Sequence, residues 1–289
     1  MNRRLFVAGV AALGLAPSRI HAGQTHIRAI ARDATGSVGV YCRTLADGPP
    51  VIAYNESESF PAASTIKMVI LTTAFAMEER QAGALDETVV ARRRDLIGGS
   101  PYMQTVPDGA RVRVRDLIVP MIQVSDNTAS NALMGHFGFD AINAVGKRAG
   151  MLDTRLARRF LDYTAIVNHH DNVTTPYDMG TLLFTIARSA REERRTIVSP
   201  GHAKRMIDIM LGQTDRDGIP AGLPRGTRAA NKTGEIAGTR NDVAIVEPFG
   251  DSPYILAFYS KWVRDYAAVY GTMHRIARLS YDTVGKSEL

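Results

Sequence analysis

Phe60-Pro61-Ala62-Ala63-Ser64-Thr65-Ile66-Lys67 runs straight into Met68-Val69-Ile70-Leu71. Pro61 lacks an N–H and restricts Phe60, so the chain arrives extended and a helix begins at or just after Ser64. That helix is expected over Ile66 to Arg80, ending before Gly83. Ser64 and Lys67 stand three apart and share one face. Taken alone, a Ser at a helix start is an ordinary N-cap. Lys67 is less ordinary, because its neighbours Ile66, Met68, Val69, Ile70 and Leu71 are apolar. Burial among them would lower its pKa and leave a neutral amine available as a base. The helix N-terminus would favour negative charge developing on the Ser64 oxygen.

Working outward, Ser37 to Leu45 reads as a strand and Val51 to Tyr54 as its hairpin partner across Asp47-Gly48-Pro49-Pro50. Helical patterns follow over Val114 to Ile122, Asn127 to Phe137, Asp140 to Ala149, Asp178 to Ala190 and Pro200 to Leu211. Strands return at Arg228 to Thr233, Asn241 to Val246 and Tyr254 to Trp262, and Asp265 to Ser280 closes the chain as a helix. Strands at both ends imply one antiparallel sheet fed from both termini. The fold class is α+β, with a sheet lobe of about residues 23–62 and 213–289 and an all-helical lobe of about 63–212. A cleft between lobes is where a site is expected.

Two further triplets are candidates for that cleft, although alone each reads equally as ordinary loop or strand-end sequence. Ser125-Asp126-Asn127 follows a helix, and Lys232-Thr233-Gly234 ends a strand. Ser125 would pass a proton to a leaving amine, and Asn127 would donate to a substrate carbonyl. Asp126 reads as a structural residue bonding loop amides. Lys232 would supply positive charge and Thr233 a hydroxyl for a substrate carboxylate, while Gly234 allows close backbone approach. Each motif is weak alone. Together, in this order, they resemble the class A β-lactamase and penicillin-binding serine hydrolase superfamily. The resemblance runs from about Thr35 to the C-terminus. Ser100-Pro101, Asp108-Gly109, Thr174-Thr175-Pro176 and Gly238-Thr239-Arg240-Asn241-Asp242 extend it.

The resemblance implies a β-lactamase/transpeptidase-like fold with a five-stranded sheet. It implies a two-step hydrolysis through an acyl-enzyme at Ser64, with Lys67 helping to remove the serine proton. Backbone N–H groups of Ser64 and Glu235 would form the oxyanion hole, and Arg240 would help to bind a substrate carboxylate. The ligand would be a β-lactam or a peptidoglycan peptide. No metal or organic cofactor is called for, and nothing forces an oligomer, so a monomer is expected. The pattern breaks in one place. Class A β-lactamases carry a Glu in an omega-shaped loop that activates the deacylating water. Counted from Arg155-Leu156-Ala157-Arg158, the matching residue here is Phe160, which cannot be a base. Either Asp162 substitutes for it, or the acyl-enzyme is long-lived, as in a D,D-peptidase-like protein or a penicillin-binding sensor. Glu235 also stands where the family has small residues. It would weaken binding of simple anionic lactams by repulsion, or favour an amine nearby.

Bulk properties agree with an enzyme of this size. The chain has 289 residues, 45% hydrophobic and 22% charged, ordinary for a globular protein. Cys42 is the single cysteine, so no intrachain disulfide forms, and its strand position reads as core. Residues 1–22 read as an export signal: Arg3-Arg4, the apolar run Leu5 to Ala16, then Ala22. The paired arginines point to the twin-arginine route, and the protein is expected to be periplasmic or secreted. Without that segment the net charge of +6 loses three arginines and no acid, leaving +3. Arg92-Arg93-Arg94 and Arg191-Glu192-Glu193-Arg194-Arg195 read as solvated faces and lack the interleaved aromatics of a nucleic-acid site. His169, His170 and Asp171 read as solvated loop residues rather than metal ligands.

Overall fold

A computed structural model describes residues 26–285; the expected export signal lies outside them. β1 (Ser37–Thr44) and β2 (Ile52–Tyr54) join β7 (Ala229–Ile236), β8 (Thr239–Val246) and β9 (Tyr254–Lys261) in one antiparallel sheet of order β2-β1-β9-β8-β7. β9 shows how the sheet divides the molecule. Leu256 and Phe258 face one core and Ile255, Ala257 and Tyr259 the other, as strand alternation requires. The first core is closed by a helical segment over 26–31 (α1), by α9 (Ile219–Gly222) and by α10 (Tyr266–Gly285), through Ile27, Ile219, Val269, Met273 and Ile276. Cys42 is buried there, and burial pushes its thiol up to about 12.

The opposite face of the sheet is continuous with the helical lobe. α2 (Lys67–Arg80) runs through that lobe with α3 (Val114–Gln123), α4 (Asn127–Phe137) and α5 (Phe139–Arg148) around it. Ten consecutive residues of α2, Lys67 to Ala76, are buried. A helix apolar on every side belongs in a core, which offsets the weak helix propensity of its β-branched residues. Thr72 and Thr73 are satisfied internally, donating to the Met68 and Val69 carbonyls at 2.8 Å each. α7 (Pro176–Glu192) and α8 (Pro200–Leu211) complete the lobe. The two lobes are therefore not separate cores. Leu182, Leu183 and Ile186 of α7 share one cluster with Ala230, Val243 and Ala257 of the sheet.

α7 meets β1 at Gly180, where an added Cβ would sit 2.3 Å from Cδ1 of the buried Tyr41 ring. In an open helix, Gly→Ala gains about 1 kcal/mol. Here overpacking, which costs about 1–3 kcal/mol, should win. Gly180→Ala is expected to lower the midpoint of urea unfolding; a raised midpoint would show that Tyr41 gives way freely.

Two short pairs that the sequence did not suggest position the cleft. β3 (Phe60–Pro61) pairs with β6 (Val173–Thr174), and β4 (Thr88–Val90) with β5 (Arg111–Arg113). The first joins the approach to Ser64 to the end of the 155–173 loop. That loop is closed at its neck by an Arg155–Val173 bridge. Arg158, nearly buried, pairs with Asp171 at 2.8 Å. Asn172 accepts from the Ala157 and Arg158 amides and returns a bond to the Arg158 carbonyl. An omega-shaped loop is thus held by its own polar side chains, with α6 (Tyr163–Val167) inside it.

Candidate functional site

The extended approach ends one residue earlier than expected. A 3-10 turn spans Ala63–Ile66 and passes into α2 at Lys67. Ala63 takes φ +47°, a left-handed conformation that a non-glycine residue holds only under constraint. The constraint comes from the sheet. Tyr259 of β9 donates to Thr65 Oγ1 at 2.8 Å, and Thr65 donates to the Ala62 carbonyl at 2.6 Å. Asn241 of β8 donates to the Pro61 carbonyl at 2.8 Å. Gly234 of β7 passes so close that a Cβ there would lie 3.1 Å from the Thr65 amide nitrogen and from the Ala62 oxygen. Three strands therefore seat the turn that carries Ser64. Sequence reading missed Tyr259 and gave Asn241 no role of its own.

Ser64 is partly exposed, whereas Lys67 is fully buried. The Lys67 ammonium donates to the Ser125 carbonyl at 2.6 Å, to Ser125 Oγ at 3.0 Å and to Asn127 Oδ1 at 2.9 Å. Its remaining side faces the Phe160 ring, 4.3 Å from the centroid. Burial lowers its pKa well below the ordinary lysine value, and the positive charge of Lys232 lowers it further. A neutral amine fits the same cage, donating to the two carbonyl-type oxygens and accepting from the Ser125 hydroxyl. Both protonation states of Lys67 are thus accommodated, and Ser125 can exchange a proton with it. The Lys67 amine is bonded to Ser125 and Asn127 and not to Ser64.

Ser125 also sits at positive φ, +57°. The chain is drawn back there because the Asp126 amide donates to the Pro120 carbonyl at 3.0 Å. Asp126 is buried and structural as expected. Its carboxylate caps α4 at the Ala129 amide and accepts from the Tyr102 and Met103 amides. Asn127 is already engaged through both ends of its amide, since Nδ2 donates to the Gly98 carbonyl at 3.0 Å. It holds Lys67 in place through Oδ1, and the second N–H of Nδ2 remains for a substrate carbonyl.

Lys232-Thr233-Gly234 does not end its strand. β7 continues to Ile236, because Gly234 and Glu235 stay in register with Asn241 and Arg240 of β8. The fully buried Lys232 donates to the Thr233 carbonyl at 2.8 Å and not to Ser125. Burial lowers its pKa to about 8, against the opposing pull of Asp242, Asp215 and Glu235. β7 is an edge strand of the sheet, lying beside the Ser64 turn.

The remaining candidates are placed differently from expectation. Asp162 N-caps α6, its Oδ1 accepting from the Ala165 amide at 3.0 Å, which ties this exposed side chain to the loop. Phe160 is the loop residue that meets Lys67. Glu235 accepts from the Tyr270 hydroxyl of α10 and lies 3.6 Å from Arg240 Nε. It therefore stands in a pair rather than as a bare negative charge. Arg240 donates to the Ile236 and Thr239 carbonyls at 3.0 and 2.7 Å and lies 3.8 Å over the Tyr266 ring, in a hairpin rather than reaching outward. Asp171 is spent on Arg158. Among the described residues, no group of three or more His, Cys, Asp or Glu is placed to hold a metal, and no helix is long and apolar enough to cross a membrane.

Comparison with known proteins agrees with this geometry. Residues 23–284 match the model of the Beta-lactamase enzyme family. The chain is 30% identical over 255 residues to Beta-lactamase CTX-M-8 of Citrobacter amalonaticus, a match covering 86% of this chain and 84% of that one. It is 28% identical over 235 residues to the carbapenem-hydrolyzing beta-lactamase KPC of Klebsiella oxytoca, covering 80% and 78%. Among solved structures, it is similar to a Leu-to-Glu mutant of PBP-A in its acyl-enzyme complex with penicillin G. The TM-score is 0.80 at 25% identity, covering 93% of this chain and 97% of that one. The beta-lactamase from Sphaerobacter thermophilus gives a TM-score of 0.78 at 25% identity, covering 93% and 98%.

Proposed function

The chain belongs to the beta-lactamase enzyme family, and from that premise we propose that it hydrolyses β-lactams through an ester at Ser64. The observation that carries this reading is the cage around Lys67, which holds a lysine of lowered pKa three residues after a partly exposed serine. Lys67 gives up one bond of the cage and takes the Ser64 proton as the oxygen attacks the lactam carbonyl. The Ser64 and Glu235 amides receive the developing oxyanion. The lactam C–N bond breaks, and Ser125 passes its proton to the leaving nitrogen and takes a replacement from Lys67, 3.0 Å away, which becomes neutral again. Water then cleaves the ester and restores the Ser64 hydroxyl. Lys232, Thr233 and Gly234 line the ligand's path, and Lys232 adds the positive charge that draws an anionic lactam in.

The second step is the slow one. Phe160 covers Lys67 with a ring that can neither accept nor deliver a proton, and Asp162 is held by the Ala165 amide. The same observation supports a second reading, in which the natural acyl donor is a D-Ala-type amide of peptidoglycan and lactams are trapped as long-lived esters. A chromogenic cephalosporin separates the two. A burst of one equivalent followed by slow, steady turnover is expected of the hydrolase; a burst that stops supports the trap, and linear turnover without a burst removes the claim of slow deacylation.

Acylation should have a bell-shaped pH profile. Lys67 must be neutral to act as the base, and its lowered pKa moves the rising limb below the usual lysine range. Lys232 acts through its charge, so the rate for an anionic lactam should fall as pH rises through about 8. A profile for the anionic lactam that stays flat from pH 7 to 10 would remove Lys232 from this role.

Export supplies the setting. Arg3-Arg4 and the apolar run to Ala16 support removal of residues 1–22 and a periplasmic or secreted enzyme, and the family match begins just after them, at residue 23.

A further inference from the structure

Glu235 and Arg240 face each other across the β7–β8 pair. They share the sheet face of Thr233, because residues two apart on a strand point the same way. Arg240 is held from several sides: by the Ile236 and Thr239 carbonyls, by the Tyr266 ring, and by Glu235. Glu235 in turn is fixed by the Tyr270 hydroxyl of α10. The ring to which that hydroxyl belongs has a further neighbour in His274, with ring centroids 6.2 Å apart. Three elements, β7, β8 and α10, thus combine to keep one carboxylate beside one guanidinium on the sheet face of Thr233.

We propose that Glu235 is a specificity-determining residue. Clasped by Tyr270, it cancels the charge of Arg240 and keeps it in the hairpin, so that the site discriminates little in favour of a ligand carboxylate and accepts ligands that are neutral or cationic at that end. Lys232 remains as the cation of the subsite. It is buried and already bonded to the Thr233 carbonyl, so it offers a field rather than a paired contact. An anionic ligand end therefore meets the buried charge of Lys232 and a Glu235–Arg240 pair whose charges offset each other. A ligand with an ester at that end loses nothing, and one with an amide N–H or an ammonium gains an acceptor in Glu235. This inference rests on the reading of Ser64 as the acylated residue.

The test compares second-order acylation rates for a penicillin with its free carboxylate and for the neutral methyl ester of the same penicillin. Intact-protein mass is read in parallel to score the adduct. Glu235→Gln keeps the size of the side chain, a partner for Tyr270 and an exposed position. It is expected to raise the rate for the acid about tenfold, the scale on which one nearby like charge acts in a partly solvated site, and to leave the ester within about twofold. Adding Arg240→Gln to that variant should take the gain away, because the freed guanidinium is what supplies it. Tyr270→Phe should move the acid in the same direction by a smaller factor. Equal changes for acid and ester in Glu235→Gln, or no change in either, would overturn the assignment. Absence of any Ser64 adduct with either ligand in the unaltered protein would instead overturn the acyl-enzyme reading itself.

Discussion

Ser64→Ala should lose covalent labelling by a fluorescent penicillin, with hydrolysis falling by about 10⁴-fold or more, as when an activated nucleophile is removed elsewhere. The size of the effect follows from the site. The neighbouring hydroxyl, Ser125, is bonded to Lys67 and sits on a different segment at positive φ. Its hydroxyl is taken up by the Lys67 cage, so it does not inherit the attack. The variant should also fold normally. The turn that carries Ser64 is held through Thr65, Ala62 and Pro61, none of which depends on the serine hydroxyl. An unchanged melting temperature with lost labelling is the expected pair of results. Labelling that survives would place the nucleophile elsewhere.

Phe160→Glu should have the opposite effect on the second step, speeding deacylation by about 10²-fold or more, the range supplied by a positioned general base. The backbone at this position is pinned on both sides: its N–H donates to Asn131 Oδ1 at 2.8 Å, and its carbonyl accepts from Asn131 Nδ2 at 3.2 Å. A carboxylate introduced there starts from the place of a ring that faces Lys67, and reaches the ground a deacylating water must cross. It would also pair with Lys67 and raise the pKa of that lysine, so acylation is expected to slow somewhat while turnover rises. No gain in turnover would mean that the loop presents position 160 differently once a lactam is bound. Asp162→Asn, measured alongside, tests the competing assignment. Stalled hydrolysis in that variant would hand the role of base to Asp162 despite its bond to the Ala165 amide.

The parts of this fold that can be read from sequence are those fixed by neighbours in the chain. α4 and α8 run over the expected residues because Asp126 caps one and Ser199-Pro200 opens the other, and such signals are local. The long strands of the sheet show through their β-branched and aromatic content. β3, β4, β5 and β6 do not, because pairs of two or three residues are set by what lies opposite them and not by their own composition. The run of β7 past Gly234 was hidden for the same reason: a glycine reads as a stop until the register with Asn241 is seen.

The site divides along similar lines. Ser64, Lys67, Ser125, Asn127 and Lys232 could be named because their motifs, in this order, resemble those of a family, and the fold brings Lys67, Ser125 and Asn127 into contact. Tyr259 and Tyr270 were not, since a single hydroxyl within an apolar strand or helix gives no local sign of the partner it meets across the fold. The loop count located Phe160, but only the geometry shows its ring against the Lys67 ammonium. Glu235 and Arg240 were both noticed. Their pairing, which reverses what each would do alone, depends on α10 and lay beyond any local pattern.

The most direct measurement is intact-protein mass followed in time after the unaltered protein is mixed with penicillin. A single adduct of one penicillin should form quickly, map to the peptide containing Ser64, and decay far more slowly than it appeared. No adduct at any time, or one that clears as fast as it forms, would contradict an ester at Ser64 sheltered by Phe160.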